Sequence, residues 1–290
     1  MIASSNLTLK QQTIKSNISV SGVGLHTGNK VNLVIKPAEE NSGIQFVRTD
    51  LKNNNTVKAL WSNVSSTNLC TTISNDKGIS ISTIEHLMSA LSGMHIDNAD
   101  ILIDSSEVPI MDGSSLPFVE LLEKNKILSQ TAYRKTIVIK KEIVILNKDS
   151  FVKIVPNNQF SINFEIDFSS NLIKKQACQL QLINGNYKSD ISSARTFGFE
   201  KDVNYLRKNG LALGGSLKNA VVIGENKILN EEGLRFDDEF VRHKILDSIG
   251  DLYLAGHPIQ GYFYGNKSGH YLNNQILRKI FSDKSNFELV

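Results

Sequence analysis

Apolar and polar residues alternate along the first segment of the chain. TIKSNISVSGVGL and KVNLVIKP follow this pattern, which predicts half-buried strands joined through Gly22, Gly24 and Gly28. GIQFVRTD continues as a strand, and residues 52–55 are polar and loop-like. TTISNDKGISIS predicts two short strands joined near Asp76 to Gly78. The period then changes. Ser82 and Glu85 stand in capping-box spacing before HLMSALSG, Leu87, Ala90 and Leu91 form a buried face, and Gly93 marks a helix end. ADILIDSS returns to a strand, and SLPFVELLEKNKIL predicts a second helix.

A polar break at Ser129 and Gln130 precedes a new strand series. It comprises RKTIVIKKEIVILNKDSFVKIVP, with a turn at Asn147 to Asp149, and QFSINFEIDFS. Glu200 to Asn209 predicts a short helix before GLALGG. DDEFVRHKILDSIGDLYLAG predicts a long one, capped by Asp237 or Asp238 and closed by Gly256. Its apolar stripe is Phe240, Val241, Ile245, Ile249 and Leu252. Both parts open with strands and carry later helices. The fold class is therefore α+β, a duplicated architecture rather than a doubly wound sheet, with 1–130 and 131–290 as its two domains.

Composition narrows the class. The 290 residues fit one large domain or two ordinary ones at ~150 residues each. With 40% hydrophobic residues the chain can build a real core, which excludes general disorder. A net charge of +3 is too mild for a nucleic-acid reader but leaves room for a local site for an anionic small molecule. Cys70 and Cys178 are too few and too far apart for a disulfide scaffold or a thiolate metal site, and read as small buried hydrophobes. MIASSNLTLKQQTIKSN lacks the basic and apolar regions of a signal peptide, and no stretch approaches the ~20 apolar residues of a transmembrane segment. A cytoplasmic location follows, with peripheral membrane contact left open.

The polar face of the long helix carries the candidate chemistry. His243, Asp247 and Asp251 are successive i,i+4 positions. This is either an ordinary polar surface or a zinc-binding pair, His243 and Asp247, followed by a carboxylate that orients a catalytic histidine. On the first helix, His86 reads from spacing alone as a structural or surface histidine, or as a zinc ligand with Glu85 handling a proton of its water. The second histidine of an H-E-x-x-H motif is absent. His270 is framed by glycine in GYFYGNKSGHYLNNQIL, as a pocket residue or an exposed turn. His26, in GLHTG, suits a phosphate or sugar, whereas His95 and His257 read as structural or surface residues. GLALGGSLKNAVVI lacks the P-loop ending and serves either as an acyl-chain groove or as a plain helix-to-strand loop. Asp112 in PIMDGSSLPF reads as a loop-positioning residue.

Taken together, these segments closely resemble the UDP-3-O-acyl-N-acetylglucosamine deacetylase family of bacterial lipid A synthesis. The resemblance rests on SGVGLHTG, TIEHLMSALSG, IDNADILIDSSEVPIMDGSSLPFV, SARTFGF, GLALGGSLKNAVV, LRFDDEFVRHKILDSIGDLYLAG and GHYLNN, in that order along the chain. It implies two similar domains, each a layered beta-alpha-alpha-beta sandwich, with the active site between them. It implies Zn2+ on His86, His243 and Asp247, Glu85 as general base, His270 as the charge-stabilising histidine with Asp251 as its partner, and Thr196 on the oxyanion. It also implies substrate contacts from Lys244 and Phe197, and an acyl passage that includes Leu211, Gly215 and Ser216. The implied substrate is UDP-linked acylated N-acetylglucosamine, handled by a monomer near the inner membrane. His95 departs from the family, where many members carry glycine after the first helix.

Overall fold

A computed structural model describes residues 10–182 and 185–290. Residues 1–9, which open the stretch read for a leader, lie outside the described residues, as do 183 and 184.

Two five-stranded sheets dominate. The first runs in the order Ile18–Val23, Lys30–Pro37, Ala99–Ile103, Ile44–Arg48, Thr56–Lys58. The second runs Ile143–Asn147, Ser150–Val155, Tyr262–Asn266, Ser161–Asp167, Lys175–Gln181. Numbered within its own half, each sheet has the order 1-2-5-3-4. In each, strands 3 and 5 pair in parallel and the other neighbours are antiparallel. The duplication expected from element order is thus present as topology.

Alternation explains the sheets. In Lys30–Pro37, Val31, Leu33 and Ile35 are buried while Lys30 and Asn32 face solvent. Ile162, Phe164 and Ile166 do the same in the second sheet.

Between strands 4 and 5 of each sheet the chain inserts a buried helix. These are α1 (Glu85–Gly93) in the first half and its counterpart in the second. After strand 5 of the first sheet come α2 (Leu116–Asn125) and, later, the short helices α3 (Asn186–Asp190) and α4 (Glu200–Lys208). The counterpart of α1 is α5 (Glu239–Tyr253), and α6 (His270–Phe281) follows strand 5 of the second sheet. Helices α1 and α5 lie against each other at close range. A Cβ built on Gly250 would come 2.0 Å from the Glu85 carbonyl oxygen, so only glycine permits this approach. The contact joins the two sequence halves.

Several local expectations are corrected. The capping box does not form at α1. The N-cap position is Ile84, the Ser82 hydroxyl donates to the Ser106 carbonyl at 3.2 Å, and the Glu85 carboxylate is engaged elsewhere. At α5, Asp238 holds the N-cap position without capping through its side chain, because its carboxylate accepts from Arg242 Nε at 2.5 Å. The second helix stops at Asn125. Lys126 takes φ 72°, and Ile127 and Leu128 enter the strand Ile127–Tyr133, which crosses residue 130 and pairs with Lys10–Ile14. His270 is neither a free turn nor a loop residue, since it is the first residue of α6. Gly256 takes φ 84° just after α5, the conformation expected of a closing glycine. His95 sits at φ 58°, the left-handed region that favours glycine, at the position where the resemblance led to an expected glycine.

Candidate metal centre

Helix α1 is buried along its polar face as well as its apolar one. Glu85, His86 and Ser89 are all buried, together with Leu87, Met88, Ala90 and Leu91. On α5, His243, Asp247 and Asp251 are equally buried. Polar groups in such a place need partners or a ligand.

His86, His243 and Asp247 converge. Their ligand atoms all lie within 4.8 Å of one another. His86 Nε2 is 3.5 Å and His243 Nε2 3.4 Å from Asp247 Oδ1, and the two rings meet edge to face at 5.0 Å. His243 Nδ1 lies 3.1 Å from the Ala194 carbonyl, so it carries the proton and Nε2 presents a lone pair. Burial pushes the His243 pKa down to about 3, which keeps the ring neutral. Asp247 opposes its own burial through His243 and Lys244 and stays well below the usual carboxylate range. Its Oδ1 is buried without a hydrogen-bond partner among the described residues, whereas Oδ2 takes the Lys244 ammonium at 2.6 Å. Two imidazoles and a carboxylate oxygen that converge in a buried place, with His86 Nδ1 and Asp247 Oδ1 lacking hydrogen-bond partners among the described residues, fit a cation, and this nitrogen-nitrogen-oxygen set suits a divalent transition metal.

A second cluster adjoins the first. His270 Nδ1 is 2.8 Å from Asp251 Oδ2, and His270 Nε2 is 4.0 Å from Glu85 Oε1. Burial would lower the His270 pKa, but the charge and hydrogen bond of Asp251, with Glu85 behind it, raise it to about 9. This direction favours the imidazolium form. Burial raises the Glu85 pKa against the pull of His270 and His86. Glu85 Oε2 accepts the Thr71 N–H at 3.0 Å, which leaves Oε1 facing His270.

The surrounding residues separate into two groups. Phe197, in the short strand Phe197–Phe199, packs its ring 6.2 Å from that of His243 and 4.9 Å from Phe240. Thr196 precedes that strand, is half-buried, and donates its N–H to Gly113 at 2.7 Å. Lys244 sits on the Asp247 carboxylate rather than projecting freely, with 18% of its side chain exposed. Leu211, Gly215 and Ser216 belong to a loop that docks on the GLHTG turn. Leu213 and Gly214 donate their N–H groups to the carbonyls of His26 and Leu25, at 3.1 and 3.0 Å. In that turn, the fully buried Glu107 carboxylate accepts the N–H groups of His26 and Thr27, both at 2.8 Å, and the Thr83 hydroxyl at 3.0 Å. The loop keeps Leu213 and Leu217 exposed. Asp112 holds its own turn through Ser114 and bridges to Arg235 at 2.8 Å, as a loop-positioning residue should.

The family model for UDP-3-O-acyl N-acetylglycosamine deacetylase matches residues 11–282. The chain belongs to the UDP-3-O-acyl-N-acetylglucosamine deacetylase family. A deacetylase of that name from Syntrophus aciditrophicus (strain SB) is 48% identical over 277 residues, covering 96% of this chain and 88% of the relative. One from Shewanella violacea is 50% identical over 282 residues, covering 97% and 92%. One from Shewanella pealeana is 49% identical over the same length and coverage.

Two residues of this buried cluster escaped the sequence reading. Thr71 touches both Glu85 and Asp251, and Asn273 donates to Asp251 Oδ2 at 2.9 Å and to Ser248 at 3.2 Å. For Asn273 a signal was present: it lies one helical turn after His270, beside the apolar series Leu272, Ile276 and Ile280. For Thr71 there was none, because its partners come from distant segments.

Proposed function

We propose that this chain hydrolyses the acetamide of UDP-3-O-acyl-N-acetylglucosamine, as a zinc-dependent enzyme of lipid A biosynthesis. The observation that carries the reading is the buried Asp247 Oδ1 without a hydrogen bond, faced by two histidine nitrogens beside an adjoining Glu85–His270–Asp251 group. His86, His243 and Asp247 would hold the ion, and no helix among the described residues is long and apolar enough to cross a membrane. Bound zinc supplies Lewis acidity toward the acetyl carbonyl and toward water.

The chain's own groups do the rest. Glu85 accepts a proton from the water that attacks the amide carbon, using the carboxylate oxygen that Thr71 leaves free. His270, whose imidazolium form is favoured, directs Nε2–H at the developing oxyanion while Asp251 fixes its other nitrogen. Thr196 adds a hydroxyl to that oxyanion. Proton delivery to the sugar nitrogen, from Glu85 or His270, lets the C–N bond break. The products are acetate and UDP-3-O-acyl-glucosamine.

Recognition is divided among other residues. Phe197 packs against the sugar. Lys244, already oriented by Asp247, helps to bind the substrate through its remaining N–H donors. The loop with Leu211, Gly215 and Ser216, whose neighbours Leu213 and Leu217 are exposed, takes the acyl chain. We read residues 1–130 and 131–290 as the two halves of one cytoplasmic monomer that touches the inner membrane only peripherally.

Product analysis tests the assignment. Acetate release is expected from the UDP-linked acylated sugar and not from unlinked N-acetyl sugars. A long acyl chain is expected to raise kcat/KM over a short one. Equal turnover of linked and unlinked sugars would instead indicate a broader amidohydrolase.

A further inference from the structure

We propose that Thr71 is a positioning residue that sets Glu85 and the Asp251–His270 pair in register across the two halves of the molecule. The proposal rests on the hydrolytic reading above. Thr71 is buried just before the strand Thr72–Ser74 in the first half. Its N–H donates to Glu85 Oε2 at 3.0 Å, and its hydroxyl donates to Asp251 Oδ1 at 2.5 Å. Its carbonyl accepts the N–H of Ile84, at the entry to α1, at 3.4 Å. One residue therefore binds the start of α1, the carboxylate on α1 and the carboxylate on α5.

The consequence lies in how each oxygen is assigned. An ionised carboxylate only accepts, so the Thr71 hydroxyl must point its proton at Asp251 Oδ1. Asp251 Oδ2 is left for His270 Nδ1 at 2.8 Å and Asn273 Nδ2 at 2.9 Å. With both oxygens occupied, the carboxylate plane cannot rotate, and the imidazole keeps Nδ1–H on Asp251 and Nε2 toward Glu85. On the other side, the Thr71 N–H occupies Glu85 Oε2 and aims Oε1 at the reaction space. The hydroxyl thus acts through Asp251 on His270, and the backbone acts on Glu85. Hydrogen-bonding partners of this outer kind hold the groups that react within tight limits.

Thr71→Val keeps the size and the backbone N–H but removes the hydroxyl. In zinc-loaded protein it is expected to lower kcat by about 10- to 100-fold, with KM and zinc content unchanged. Thr71→Ser, which keeps the hydroxyl, is expected to restore most of that loss. If valine does not fold at this site, Thr71→Ala is read in the same way. In an Asp251→Ala background, removing the hydroxyl is expected to cost nothing further, because its acceptor is gone. Wild-type kcat in Thr71→Val, a Thr71→Ser variant as slow as valine, or fully additive losses with Asp251→Ala would each overturn the proposal. A wild-type protein that releases no acetate would instead overturn the hydrolytic reading, so the two failures are distinguishable.

Discussion

Glu85→Gln is expected to lower kcat on the UDP-linked acylated sugar by about 10²- to 10⁴-fold, the range of general acid–base catalysis. The geometry makes this a clean substitution. Glutamine has the same shape, and its carbonyl oxygen can still accept the Thr71 N–H that now binds Oε2. What it loses is the capacity to take a proton at the oxygen facing His270. Burial already raises the Glu85 pKa, so the neutral amide relieves a desolvation cost and the fold is expected to hold. Because Glu85 is not one of the three converging donors, zinc content is expected to remain at wild-type level. The measurement is single-turnover acetate release at saturating substrate, with metal analysis on the same sample. Near-normal turnover would remove Glu85 from the reaction.

The second large effect is on the metal. His243→Ala is expected to weaken zinc binding by more than the ~10- to 100-fold typical of an outer-shell partner, because it deletes a ligand nitrogen itself. The loss is local. The Ala194 carbonyl loses its imidazole partner, and Asp247 Oδ1 keeps only His86 beside it. Lys244 remains on Asp247 Oδ2 at 2.6 Å, so the carboxylate is not left uncompensated and the helix is expected to stay folded. Equilibrium dialysis against buffered zinc reads the change directly. Unchanged affinity would take His243 out of the ligand set.

Much of this was legible in the sequence, for reasons that can be named. The strand Lys30–Pro37 shows its period because one face is buried and the other wet. The α5 stripe shows because Phe240, Val241, Ile245 and Ile249 must all face the core. The i,i+4 spacing of His243, Asp247 and Asp251 places three polar groups on one helix face whatever the tertiary structure. Spacing did not show that this face is buried against α1, where Gly250 lets the Glu85 backbone approach. Family resemblance joined His86 to the set, and the structure brings the groups together.

The missed features have a common cause. The capping-box spacing at Ser82 and Glu85 is a local signal, but Glu85 is drawn away by the Thr71 N–H and by the buried site. In the same way, glycine before His270 suggested a turn, although it stands at the N-cap of α6. Local chemistry yields to tertiary contacts where a residue serves the site.

The most direct measurement is acetate release by metal-stripped wild-type protein titrated with zinc, using the UDP-linked acylated sugar. A buried donor set of two imidazoles and one carboxylate predicts activity that is absent without metal, rises in proportion to added zinc and levels off at one ion per chain. Full acetate release from protein verified to be metal-free, or none from folded protein saturated with zinc, would contradict the account.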